Sequence, residues 1–292
     1  VMVVATGASA NIIWVNSAQN NDAGFVTYLQ GLGYDVTATL GTMDDPASGT
    51  GPDVAALNAA DLVVVSLNTS SGSYDGDIAA WNGITTPIIL MSPWISRSNR
   101  WMWLDTTTVN QGQVAVDAVM TVEDTNHPLF QGLGAQFSPY ANHTGDNIGN
   151  VSSVGSGTIL SKIVGAAATQ DIFAIYWDAG TEFYPGSGQT PAGKRLLMSL
   201  GAADVAPQVE GEYNLSAQGE TLLVNAVEWL APSSGGEGEG EGEGEAPVVL
   251  VGGATLNGDF NAAPGPEVNF AGTPSWFNLE GNQGIQATRD NL

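Results

Sequence analysis

Cysteine is absent from the 292 residues. Its absence excludes disulfides, thiolate metal sites and a cysteine nucleophile. Basic residues are scarce too: 6 Lys and Arg stand against 30 Asp and Glu, for a formal net charge of −24. A field of that sign repels nucleic acid and anionic lipid, so neither is expected as a partner. It suits a saline or calcium-containing exterior where counterions screen self-repulsion, and it also serves plain solubility. No apolar run reaches the roughly 18 residues that a membrane span needs. The 2 histidines, His127 and His143, lack His-x-x-x-His spacing, which rules out a standard zinc cage. No G-x-G-x-x-G or P-loop pattern occurs. The segment Ser17 to Asn21 could offer a flavin phosphate only hydroxyl and amide donors. Calcium is the metal the composition admits, through Asp75-Gly76-Asp77 and Asp44-Asp45, but neither group has EF-hand spacing and both read equally as solvated turns. No cofactor is expected.

What the chain does have is a strict Gly-Glu alternation from Gly235 to Glu245. Such a run has no apolar face to bury, and its like charges repel. It reads as an extended, solvated tether over residues 233–247. The tether separates a large domain, residues 11–232, from an incomplete β-rich module, residues 248–292. Residues 1–10 read as the remnant of a secretory signal, because Val1-Met2-Val3-Val4-Ala5 is apolar and Ala8-Ser9-Ala10 fits the small-x-small cleavage rule. An ordinary apolar strand is the alternative. A module beside a tether and an export signal points to a secreted or surface-displayed, multi-domain bacterial protein, cut from a longer reading frame.

The large domain alternates strands and helices. Ile12-Ile13-Trp14-Val15 reads as a buried strand, Asp22 as the cap of a helix over residues 23–32, and Tyr34 to Thr39 as the next strand. A helix over Asp53 to Ala60, a strand over Leu62 to Leu67, a helix over Asp75 to Trp81 and a strand over Pro87 to Met91 follow. Strands are also expected at Val114–Val119, Thr158–Leu160, Ile172–Trp177 and Arg195–Met198. A closing helix carries Ser216 as its N-cap and Leu222, Leu223, Ala226, Val227 and Leu230 as its apolar stripe. The pattern predicts an α/β fold, a doubly wound and mostly parallel sheet with helices on both faces.

In such sheets ligands sit beyond the carboxyl ends of the strands. That edge would carry Asn16, Ser17, Gln19, Asn20 and Asp22, then Ser66, Asn68 and Thr69, then Ser92, Trp94, Ser96, Arg97 and Arg100. Trp94, Trp101, Trp103, Arg97 and Arg100 crowd into ten positions. Arginine clamps carboxylates and exposed tryptophan stacks on sugar rings, so an acidic glycan is a candidate ligand. Alternatively, the tryptophans plug the core and the arginines pair with nearby Asp. A hydrolase would need Ser92 with His127 and Asp124, but Pro93 follows Ser92 directly and removes a backbone donor that an oxyanion would use.

Two segments resemble a known group. Asp124-Thr125-Asn126-His127-Pro128-Leu129-Phe130-Gln131-Gly132-Leu133 and Leu215-Ser216-Ala217-Gln218-Gly219-Glu220, running on to Asn225-Ala226-Val227-Glu228-Trp229-Leu230, are similar to signature segments of ThuA-like (trehalose-utilisation-like) proteins. That group falls in the class I glutamine amidotransferase-like, flavodoxin-type superfamily. The resemblance covers about Asn11 to Ala231. It implies the flavodoxin-type fold but not amidotransferase activity, because the turn that would carry the catalytic Cys reads Leu90-Met91-Ser92-Pro93-Trp94. The fragment after the tether resembles, through Asn257-Gly258-Asp259-Phe260 and Pro274-Ser275-Trp276-Phe277-Asn278, the opening of a carbohydrate-binding β-sandwich. The expected role is a non-catalytic binding or scaffold module acting on carbohydrate. A sugar-processing hydrolase and a structural spacer are the alternatives.

Overall fold

The computed structural model describes residues 9–43, 54–74, 76–109, 118–141, 145, 148, 151, 153–164, 170–204 and 206–231, and four short strands between 249 and 288. The chain divides into two compact units, Val1–Glu237 and Gly238–Leu292.

The first unit is built on a sheet of nine strands. They are β1 (Asn11–Val15), β2 (Asp35–Ala38), β3 (Leu62–Val65), β4 (Ile88–Leu90), β5 (Met120–Val122), β6 (Gln136–Phe137), β7 (Thr158–Val164), β8 (Gln170–Trp177) and β9 (Arg195–Met198). The spatial order is β2-β1-β3-β4-β9-β8-β7-β5-β6. The first five in that order pair in parallel, and the remaining pairs are antiparallel. Following those pairings, only β8 and β5 run against the other seven. Helices α1 (Ala23–Gly31), α2 (Val54–Ala59), α3 (Ile78–Asn82) and α4 (Ala217–Leu230) flank the sheet. The architecture is the expected α/β one.

Side-chain alternation along the strands generates two cores. Ile12, Trp14, Val64, Ile89, Leu196 and Met198 face one side, where α1 supplies Phe25 and Leu29 and α4 supplies Leu222, Leu223, Ala226, Val227 and Leu230. Ile13, Val15, Val63, Val65, Ile88, Leu90 and Leu197 face the other, against Leu57 of α2 and Trp81 of α3. Strands β3, β4 and β9 are buried along their whole length. Both faces are covered, so continuous apolar runs are what these strands require.

Two local readings are corrected. Asp22 precedes α1 but makes no capping bond. It is fully buried, and its carboxylate instead accepts from Trp14 Nε1 at 2.5 Å and Asn16 Nδ2 at 2.9 Å. Trp101, expected among the ligand residues, does not line the sheet edge; with Trp103 it follows the alternative reading, that the tryptophans plug the core. Both are fully buried in the second core, where stacking runs from Trp81 to Trp101 (4.6 Å) and from Trp103 to Phe183 (5.5 Å). They fill the face that no long helix covers. Of the strand expected at Val114–Val119, residues 114–117 lie outside the described residues, and β5 begins at Met120.

In the second unit, Val249–Leu250 pairs antiparallel with Ala254–Thr255, and Ser275–Asn278 with Ile285–Thr288. These are β10 to β13. The segment Asn257 to Phe260 lies outside the described residues.

Candidate functional site

Strand β1 has β2 on one side and β3 on the other, so the strand order reverses direction at β1/β3. Loops leaving the two strands diverge there and open a crevice. A cleft of about 530 Å³ occupies that place, lined by Ser17, Ala18, Gln19, Asn68, Thr69, Ser70, Ser71, Trp94 and Glu210.

The floor is cross-braced. Ser17 N–H donates to the Asn68 carbonyl at 3.0 Å, and Ser17 Oγ donates to Asn68 Oδ1 at 3.1 Å. Asn68 is 5% exposed, and its Nδ2 has no hydrogen-bond partner. A buried amide donor without a partner is costly unless something arrives to accept from it. The loop after β9 closes over this residue. At Gly211 (φ +80°) a Cβ would stand 2.6 Å from Asn68 Cβ, so both the left-handed backbone and the close approach require glycine.

Asn16, fully buried, sets the geometry of the β1 exit. Its Oδ1 accepts from Leu40 N at 2.9 Å, and its Nδ2 donates to Asn20 Oδ1 and Asp22 Oδ1, both at 2.9 Å. Asn20 (φ +53°) and Leu40 (φ +52°) are two of the three described non-glycine residues with left-handed backbone. For leucine that conformation is strained, and such strain concentrates at functional sites.

Trp94, half-buried, forms one wall. Arg97 holds it there. The guanidinium lies 5.2 Å from the Trp94 ring centroid, and Nε donates to the Trp94 carbonyl at 2.7 Å. Its other nitrogens donate to Ser71 Oγ at 3.1 Å and the Thr107 carbonyl at 3.3 Å. Burial, then repulsion from Arg100, lowers the Arg97 pKa. Arg100 Nη1 donates to the Asn99 carbonyl. Three of the five Arg97 N–H groups are thus spent on the Trp94 wall and its neighbours.

Of the residues expected at the edge, Ser17, Gln19, Asn68, Thr69 and Trp94 line the cleft, and Asn16, Asn20 and Arg97 support it. Trp101 is withdrawn into the core. Ser92 is fully buried, and its Oγ has no hydrogen-bond partner. It does not meet His127. Ser92 follows β4 and His127 follows β5, four strand positions away, about 19 Å at about 4.8 Å per step. Asp124 is exposed and its Oδ1 accepts from Asn126 N. His143, Asp44, Asp45 and Asp75 lie outside the described residues. Among the described residues no three histidine, aspartate or glutamate side chains group as a metal site would need.

Sequence reasoning missed Ala18, Ser70, Ser71 and Glu210. The first three extend loops already singled out. Glu210 comes from the loop between β9 and α4, more than a hundred residues downstream, and no local pattern marks it.

The two segments that carried the family resemblance lie together, away from the cleft. His127 Nδ1 accepts from Leu129 N at 3.2 Å and so caps a 3-10 turn, Pro128–Phe130. Its ring packs edge-on against Trp229 of α4, centroids 4.5 Å apart. Asn225 of α4 donates to the Leu129 and Gln131 carbonyls at 3.1 and 2.8 Å. At the start of α4, Ser216 Oγ accepts from Gly219 N at 3.1 Å and donates to the Ser138 carbonyl at 2.6 Å. Both segments thus clasp the closing helix to the sheet.

No protein-family profile matches the chain, and no curated protein matches it in sequence. Solved structures do match. A protein described as ThuA-like from Parabacteroides merdae superposes with a TM-score of 0.51 at 14% identity, over 82% of this chain and 93% of that one. A second ThuA-like protein, from Bacteroides uniformis, gives 0.46 at 10% identity, over 76% and 91%. A GMP synthase-type protein from Thermoplasma acidophilum gives 0.40 at 14%, over 74% and 92%. At such identities the likeness, resting on the first of these, is one of fold: the large domain has the architecture seen in a ThuA-like structure.

Proposed function

We propose that the 11–232 domain is a non-catalytic binding module of an exported, multi-domain bacterial protein, and that its ligand is carbohydrate. The observation that carries this reading is the switch-point cleft. It combines hydroxyl and amide side chains from two loops, an unpartnered buried donor on Asn68 and the face of Trp94. Sugars present that mixture in reverse, with hydroxyls on their rim and C–H faces that stack on aromatic rings. The ThuA-like resemblance agrees with a sugar-related role. The apolar start, read as a signal remnant, and the Gly-Glu run, read as a tether, favour an extracellular setting. A hydrolase built on Ser92, His127 and Asp124 has no comparable observation behind it.

The test is retention of the full chain on an immobilised panel of neutral and acidic oligosaccharides. Wild type is expected to bind, and Trp94→Ala to bind about tenfold more weakly, the worth of one aromatic stacking contact. An unretained wild type would overturn the reading, as would a Trp94→Ala variant that binds equally well.

A further inference from the structure

Asp22 is fully buried, and among the described residues no cation pairs with it. A carboxylate in that position is costly unless hydrogen bonds hold it. Two do. Oδ2 accepts from Trp14 Nε1 at 2.5 Å and Oδ1 from Asn16 Nδ2 at 2.9 Å, and the amino end of α1 adds a favourable dipole.

A carboxylate only accepts, and that decides which way the Asn16 amide faces. With Nδ2 turned to Asp22 and to Asn20 Oδ1, Asn16 Oδ1 is left for Leu40 N at 2.9 Å. The Asn16 backbone is committed as well: its N–H donates to Thr39 Oγ1 at 3.3 Å, and its carbonyl accepts from Gly41 N at 2.7 Å. One residue thereby ties the exit of β1 to the exit of β2 and to the loop that leads into α1. The tie bears on the cleft. Ser17, Ala18 and Gln19, which line it, lie between Asn16 and Asn20. Gly41 packs against this loop, where a Cβ would stand 3.1 Å from Ala18 N. Asn20 and Leu40, both left-handed, are the residues that the Asn16 side chain holds besides Asp22.

Resting on the carbohydrate reading for its ligand, we infer that Asp22 is a positioning residue of the cleft. It stands behind the cleft, fixes the Asn16 amide, and through that amide holds the β1 lip in the shape that binds. Asp22→Asn changes the polarity and keeps the size. Trp14 is buried and stacked on Phe25, so the new amide must give its oxygen to Trp14 Nε1 and its NH2 to Asn16. Asn16 then turns over, and its Nδ2 meets Leu40 N donor to donor. The double variant Asn16→Asp/Asp22→Asn restores the pairing with its polarity reversed. The carboxylate at position 16 accepts from the amide at position 22 and from Leu40 N, and the exposed Asn20 amide is free to turn and donate.

The experiment follows hydrogen–deuterium exchange on the unliganded full chain in peptides spanning residues 16–21 and 39–43, together with retention on the immobilised oligosaccharide panel. Asp22→Asn is expected to speed exchange there about tenfold, the worth of one charge-assisted hydrogen bond, and to weaken retention about tenfold, while peptides over β3 and β9 are unchanged. The double variant is expected to return both readouts toward wild type. Unchanged exchange or unchanged retention in Asp22→Asn overturns the inference. So does a double variant no better than the single one, and so does protection lost evenly over the sheet, which marks a purely structural carboxylate. A wild type retained on no member of the panel overturns the carbohydrate reading, and exchange then decides the role of Asp22 by itself.

Discussion

Arg97 and Arg195 show how a protein with so few cations uses them. Arg195 is fully buried at the start of β9. Its guanidinium donates to the backbone carbonyls of Trp81, Asn82, Ile84, Thr86 and Lys194. The first two are the last carbonyls of α3, where a cation is favoured by the helix dipole. Burial lowers its pKa to about 9, so it remains charged at neutral pH. Arg195→Met would take the donor from the buried Ile84 and Thr86 carbonyls, while those of Trp81, Asn82 and Lys194 keep their backbone donors. A loss of about 3–5 kcal/mol is expected, read as a shifted denaturant midpoint; a loss under about 1 kcal/mol would mean that Arg195 does not staple the α3–β4 connection. The sequence marked Arg97 and Arg100 as unusual through their nearness to tryptophans. It could not tell a ligand clamp from a wall support, because that depends on where three backbone carbonyls and a serine fall after folding. The exposure of Trp94 and the burial of Trp101, seven residues on, were equally beyond local pattern.

At the scale of elements, the parallel half was legible because β1, β3 and β4 are short apolar runs and α1 sits between two of the strands with its own apolar positions and glycine stop. The antiparallel half was less so. Strands β7 and β8 were seen, but β6 is two residues long and gives no periodic signal. The clasp on α4 gives a physical account of the segments that suggested the family. His127 caps the 3-10 turn as an acceptor and packs on Trp229, so it serves in its neutral form. Burial holds its pKa below the usual imidazole value, with Asp124 pulling weakly the other way. The sign follows. The unfolded chain binds a proton near pH 6.5 while the folded one resists it, so this contribution is complete above that pH and declines as pH falls through the interval below it. His127→Gln, which keeps an acceptor but cannot titrate there, should flatten the difference in melting temperature between pH 7 and pH 5. A variant with an unchanged slope would show that the imidazole does not titrate within the clasp.

For the molecule as a whole, the sequence marked two parts, and the chain divides into two compact units at Glu237/Gly238; it also pointed to the edge of the sheet where the cleft lies. Glu210 and the closed floor were hidden because they join residues distant along the chain. Two places could hold a sugar: the switch-point cleft of the first unit, or the β-rich segment after the tether. Hydrogen–deuterium exchange on the full chain, with and without a neutral oligosaccharide that it retains, distinguishes them directly. The account predicts slowed exchange in peptides spanning residues 16–21, 66–72 and 207–212, with none in residues 249–292. Protection confined to the residues after the tether, with the cleft peptides unchanged, would contradict it.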